Sequence, residues 1–252
     1  MRVTMRHSLK IAAAVLVLWA DVSSAQTVDE VIDKSLAALG GRAAHAKINS
    51  RVATGDITLT TPVGDIKGTI DIMNARPNKL RTVIKADLSA LGVGQLAVDQ
   101  RFDGKAGYAM DSLQGNRDIT GNQLDNMRNS AFPNPMIEYK ERGTSAKLTG
   151  KEKVGDREAF VIEFEPVTGS AIRQYIDAET YLPLRAVIKT DVPQLGQTVE
   201  QTSDFSDYRE LDGIKVPFEL RSTSSVQNFT VKLTKVEHNT KIDESLFSKP
   251  AQ

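Results

Sequence analysis

Two long tracts of this sequence alternate apolar and polar residues with a period of two, and turn signals cut each tract into pieces of hairpin length. The clearest piece runs from Ala159 to Val167, where Phe160, Ile162 and Phe164 alternate with Val161, Glu163 and Glu165. Earlier, Ile66, Gly68, Ile70 and Ile72 alternate with Asp65, Lys67, Thr69 and Asp71, and Leu80, Thr82, Ile84, Ala86 and Leu88 with Arg81, Lys85 and Asp87. Side chains two apart on a strand share a face, so each segment has one dry side and one wet side. Antiparallel sheets allow that arrangement and parallel ones rarely do. Gly64, Pro77-Asn78 and Asp103-Gly104 mark turns in the first tract, which spans 49–111. Further strands are predicted over 147–154, 159–167, 171–177, 184–192, 198–211, 215–224 and 226–236. The fold class is α+β and mostly β, with about eleven antiparallel strands, and a meander of that length must curl to hide its dry face.

Asp212-Gly213, between two alternating runs, predicts a hairpin turn, because glycine takes positive φ without steric cost. Pro217 follows almost at once. Proline fits a strand mainly at its start, at an edge or at a bulge, so this stretch predicts a corner of a strongly bent sheet.

Helices are few. Thr27 and Glu30 have capping-box spacing, Val28, Ile32, Ser35, Leu36 and Leu39 recur near helical period, and Gly40-Gly41 ends the run. A second helical stretch covers 121–131, with Leu124, Met127 and Arg128 at helical spacing, and Phe132 to Met136 breaks it. Near the C-terminus a short turn is expected to tuck in Leu246 and Phe247.

The first 25 residues read as an export signal. Arg2, Arg6 and Lys10 precede an apolar run from Ile11 to Ala20, and Ser23-Ser24-Ala25 offers small residues for cleavage near Ala25. Asp21 closes the run too early for a membrane span. The expected product is a periplasmic protein with one domain over 26–252. Lys and Arg number 32, as do Asp and Glu; without residues 1–25 the counts become 29 and 31, a net charge of −2. Such balance gives no electrostatic claim on nucleic acid. No cysteine occurs, which removes a lipobox thiol, disulfides and thiolate metal sites.

The sequence carries few candidate catalytic groups. His45 and His238 have no carboxylate or serine at a recognisable spacing and read as surface or boundary residues. No nucleophile elbow, phosphate loop or zinc helix occurs. Glu163 and Glu165 lie on a wet face, and Asp204 and Asp207 lack the longer oxygen-rich loop that calcium needs. Gly92 to Ala97 fits Gly-x-Gly-x-x-Ala but lies between strand patterns, so a dinucleotide site is not expected. That segment is either a glycine-rich hairpin loop or an apolar flap over a dry pocket.

A bent sheet with one apolar face, helices too small to cover it and no catalytic constellation together point to binding in an apolar cavity. The expected lining is Ile70, Ile72, Leu80, Ile84, Leu88, Leu91, Val93, Phe160, Ile162 and Phe164, with no catalytic residue, no metal and no cofactor.

Several stretches also resemble a known family. Leu36 to Ser50, with its double glycine, Tyr175 to Arg185, Ser206 to Leu220 and Ile242 to Pro250 are similar to the LolA/LolB-like periplasmic lipoprotein-sorting carriers. The resemblance covers the chain beyond the export signal. It rests on turns and strands, and assigns no individual residue. It implies an unclosed antiparallel β-barrel with helices as a cover, holding lipids or lipoprotein acyl chains, in a monomer that could also meet an envelope membrane protein. The alternatives are an envelope sensor or interaction module on the same fold, and an enzyme whose site the sequence does not reveal.

Overall fold

The computed structural model describes residues 26–130, 132–192 and 196–250, so the expected export signal lies outside the described residues. The first strands are β1 (Ser50–Thr61), β2 (Gly64–Ala75), β3 (Lys79–Asp87), β4 (Gln95–Phe102), β5 (Gly107–Asp111) and β6 (Arg117–Ile119). After a helical crossing come β7 (Ser145–Val154), β8 (Arg157–Glu165), β9 (Ile172–Asp177), β10 (Pro183–Val192), β11 (Gln197–Leu211), β12 (Ile214–Thr223) and β13 (Asn228–His238). The helices are α1 (Val28–Ala38), α2 (Gly41–Ala46) and α3 (Gly121–Asn129).

Each strand pairs with its sequence neighbours, except that β1 pairs antiparallel with β13 while β6 and β7 stay apart. The thirteen described strands therefore form one antiparallel sheet in the order β6 to β1, then β13 down to β7, an unclosed barrel with its gap between β6 and β7. Thirteen form rather than about eleven; β6 has only three residues, too few for alternation to show. That shortness protects one edge, and Lys147, Lys151 and Lys153 on β7 protect the other from strand addition.

The Asp212-Gly213 turn forms as expected. Both residues have positive φ, 52° and 77°, and Leu211 pairs with Ile214 across it, so the turn is type I′. Pro217 pairs with Tyr208 on one side and has no β13 partner on the other, because β12–β13 pairing starts at Glu219. The missing amide thus faces a place where the sheet splays. Beside it, β13 bulges at Thr234, between the pairs Thr54–Lys235 and Gly55–Leu233. Ile48, Phe132, Ile214, Val216 and Phe218 fill the splay.

Thr27 and Glu30 form the expected reciprocal cap of α1. This helix buries Val31, Ile32 and Leu36 against Phe160, Ile162, Phe164 and Ile176. The short α2 is tied to the β2–β3 turn by Arg76, whose guanidinium donates to the carbonyls of Ile48 and His45. None of the residues of α3 is buried; polar bonds hold it, including Asn122 and Asn126 to the Ser170 hydroxyl and Gln123 to the Asp191 carbonyl. At the C-terminus a 3₁₀ turn over Glu244–Phe247 buries Phe247 and packs on β3 and β4.

The Tyr175 to Arg185 stretch turns around Asp177, whose side chain is 2% exposed. Its carboxylate accepts from the Glu179 and Thr180 amides and the Thr180 hydroxyl, and pairs with Arg157 at 2.7 Å. Burial alone would raise its pKa, but the Thr180 bonds, Arg157 and the Glu179 amide together hold it below the ordinary value. A depressed carboxyl stabilises the fold above the unfolded pKa, and that contribution is lost as pH falls through the folded one. Asp177→Asn should therefore cost stability at pH 7, and the urea midpoints of wild type and variant should draw together as pH falls below the unfolded carboxyl value of about 3.9. Equal midpoints at pH 7 would show that the charge contributes nothing.

Candidate functional site: a cavity at the hairpin end

The helices cover only one half of the concave sheet face. Residues of β1, β2, β3 and β13 in the other half, with Leu88 just beyond β3, form a separate apolar cluster containing Ile57, Leu59, Ile66, Ile70, Ala86 and Val231. No helix packs into that cluster, and above it lies a cavity of about 630 Å³. Its floor includes Leu59, Ile84, Leu88, Leu96, Val98 and Phe229. Strand register explains the grouping: Ala86 pairs with Leu96, Ile84 with Val98 and Leu59 with Phe229, and paired residues point to the same side.

The opposite wall is polar. Arg117, on the edge strand β6, donates to the Gln123 side chain at 3.1 Å, and Gln123 reaches the Asp191 carbonyl at 3.3 Å. The Arg117 Nε is buried with no hydrogen-bond partner among the described residues. Gln201 donates to the Ser222 hydroxyl at 2.8 Å, and Asp111 and Gln100 also line the space. The expected dry pocket is thus an amphipathic one. Period-two reading picks out large apolar side chains and passes over Arg117, Gln123 and Gln201, which reach the cavity from a three-residue strand, a polar helix and a long strand.

The exposed large apolar side chains have a common position. Val63, Leu91, Val93, Leu113 and Val226 sit on hairpin loops at this same end, and so does Val167, on the β8–β9 loop but outside the cavity lining. Leu91, Leu113 and Val226 also line the cavity. The loop carrying Leu91 and Val93 contains a 3₁₀ turn over Ser89–Leu91 and leads through Gly94 into β4.

The ten residues expected to line one cavity separate into groups. Ile84, Leu88 and Leu91 line it directly. Ile70 and Ile72 belong to the apolar cluster beneath, Leu80 is half-buried on β3, and Val93 projects from the rim. Phe160 and Ile162 instead pack under α1, and Phe164 borders a small cleft beside Tyr139 and Met136. All the strand residues in this set share a face. Which part of that face the helix covers is a tertiary matter, invisible to periodicity.

A family described as "-like: Uncharacterized protein" matches residues 109–251, more than half of the sequence. The chain belongs to that family. None of the curated proteins compared matches it. Among solved structures, a DUF1329 family protein from Desulfovibrio piger aligns at TM-score 0.57 and 13% identity, covering 89% of this chain and 98% of that one. A LolA superfamily protein from Nitrosomonas europaea aligns at 0.54 and 13%, covering 89% and 99%. An outer membrane lipoprotein-sorting protein domain from Vibrio parahaemolyticus aligns at 0.55 and 12%, covering 86% and 95%. This family member has a LolA-like fold.

Of the two histidines expected at the surface or boundary, His238 is at the boundary and His45 is buried. The His45 residue is 3% exposed and neither ring nitrogen has a hydrogen-bond partner among the described residues. Burial and the nearby Arg51 push its pKa down. His238 is joined through Nδ1 to the Asp212 carboxylate at 2.9 Å, and its Nε2 accepts from Arg51 Nε at 3.2 Å. Burial pushes His238 down as well, so it is the neutral Nδ1–H tautomer that satisfies both partners. Asp212 is 26 positions from His238, across two strands, so no local spacing could reveal the pair. No cluster of three or more metal-ligating side chains occurs among the described residues, and no described helix is long and apolar enough to cross a membrane.

Proposed function

We propose that this protein binds and carries lipids or lipoprotein acyl chains in the periplasm, with the acyl part on the apolar floor of the hairpin-end cavity. The observation that carries this reading is the uncovered floor of Leu59, Ile84, Leu88, Leu96, Val98 and Phe229 facing about 630 Å³ of open space. That volume falls within the usual range for small-molecule sites, about 300–1,000 Å³. Each buried CH₂ contributes about 0.8 kcal/mol, so a modest length of chain reaches useful affinity. The polar wall around Arg117 suits the head of an amphipathic ligand. Exposed apolar side chains gathered on the rim suit contact with the surface that delivers the ligand. The Vibrio parahaemolyticus domain with this fold is described as lipoprotein-sorting, which supports the same reading by analogy of fold. Among the described residues that line this cavity there is no histidine, lysine or cysteine, which favours a binder over an enzyme.

The rim also supports a second reading, in which those apolar tips bind a protein partner and the fold serves as an envelope sensor or interaction module. Mass spectrometry of organic extracts from protein purified out of the envelope decides between them. Stoichiometric lipid or acylated peptide is expected. An empty cavity that also rejects a fluorescent fatty acid, alongside a stoichiometric protein partner, would replace the carrier reading with the second one.

A further inference from the structure

At the other end of the concave face lies a second pocket, of about 230 Å³, between the 133–136 segment and strands β11 and β12. Arg51 enters it from β1, on the same face as Ala53, Ile57 and Leu59. His45 and Lys215 line it too, and among the described residues no Asp or Glu does. The Arg51 guanidinium lies over the Phe132 ring at 5.4 Å and donates through Nε to neutral His238, but it has no carboxylate partner among the described residues. Asp212 reaches it only through the imidazole. Arg51 is half-buried and His45 is buried; a cation drawn partly out of water ordinarily finds an anion, and a buried imidazole ordinarily finds a hydrogen bond. Here both requirements are open at one cavity. Burial by itself brings the guanidinium pKa down to about 10, so the cation is held at a cost.

We propose that this pocket is a binding site for a small organic acid, whose carboxylate pairs with the Arg51 guanidinium and lies within reach of His45 and Lys215. The planar fork of arginine matches a carboxylate, and charge-assisted bonds of this kind are the stronger ones. The rest of the lining selects the remainder of the ligand. Met136, Pro133, Pro135, Phe205 and Val216 are apolar, so an acid with a short apolar body fits better than free phosphate. At about 30 Å³ per displaced water, the pocket holds roughly eight waters' worth of ligand, too little for a whole acyl chain. This site is separate from the hairpin-end cavity and does not depend on it.

Isothermal titration with hexanoate, hexanamide and inorganic phosphate tests the proposal. Hexanoate should bind at this pocket at least about tenfold tighter than hexanamide, since the neutral amide forgoes the charge-assisted pair. The His45 ring resonances should shift on saturation. Arg51→Met should weaken hexanoate by about tenfold or more, and Lys215→Met, at a half-exposed position, should weaken it by about threefold without disturbing folding. Leu96→Asp, at the other end of the face, should leave hexanoate binding unchanged. Equal binding of hexanoate and hexanamide, undiminished binding by a folded Arg51→Met, or binding of phosphate in place of hexanoate would each overturn the assignment. Should Arg51→Met fail to fold, unchanged affinity in Lys215→Met would do so.

Discussion

Replacing Gly40 with alanine is expected to lower the melting temperature by about 10 °C, whereas the same change at Gly41 lowers it by only a few degrees. Both glycines have positive φ, 112° and 81°, so both substitutions meet backbone strain of about 1 kcal/mol. Only Gly40 also meets a wall. A Cβ there would lie 2.1 Å from the Gly213 carbonyl oxygen and 2.8 Å from the Ile214 Cα, whereas one on Gly41 meets nothing within 4 Å. Those are backbone atoms of a type I′ turn, held in place by the Leu211–Ile214 pair and by the Lys215 amide donating to the Leu39 carbonyl at 3.0 Å. The clash cannot be relieved by a rotamer change, so the helices must lift or the hairpin must shift. Overpacking of this kind adds about 1–3 kcal/mol to the φ strain, and at about 2–4 °C per kcal/mol the sum gives the expected shift. Thermal unfolding followed by circular dichroism checks it. Equal melting temperatures for the two variants would mean that the helices do not dock on the hairpin in this way.

The same junction illustrates what could be read from the sequence. Gly40-Gly41 and Asp212-Gly213 are each legible as local punctuation, since positive φ is demanded by the neighbouring residues. That the two turns touch is not legible, because they are more than 170 positions apart and no pattern links them. Alternation assigned the right face to Ile70, Ile84, Phe160 and Ile162, since period two is a property of each strand alone. It could not divide that face between core and cavity, which depends on where α1 lies. The polar wall stayed hidden for a related reason. Arg117, Gln123 and Gln201 look like solvated residues in sequence, and only the curl of the sheet turns them inward. His238 and Asp212 were likewise brought together by strand pairing alone.

Leu96→Asp is expected to weaken binding of a fluorescent fatty acid about a hundredfold while leaving the protein folded. Leu96 and Val98 are half-exposed on β4, with their side chains on the cavity floor. Because solvent already reaches Leu96, the empty protein can hydrate a carboxylate there at little cost. A bound acyl chain removes that water. Stripping it from the carboxylate costs about 1–3 kcal/mol in protein settings, and the lost leucine contact costs about 1.5–3 kcal/mol at full burial. Taking about 3 kcal/mol for the two together, at 1.4 kcal/mol per tenfold, gives about a hundredfold. Val167→Asp supplies the comparison: Val167 is 77% exposed on the β8–β9 loop and is not among the residues lining the cavity, so the same charge there should leave probe binding unchanged. The probe's emission can be followed without indole background, since Trp19, the single tryptophan, falls within the expected export signal. A folded Leu96→Asp protein that binds as tightly as the wild type would place the acyl chain off this floor, and the uncovered half of the sheet would then need another purpose.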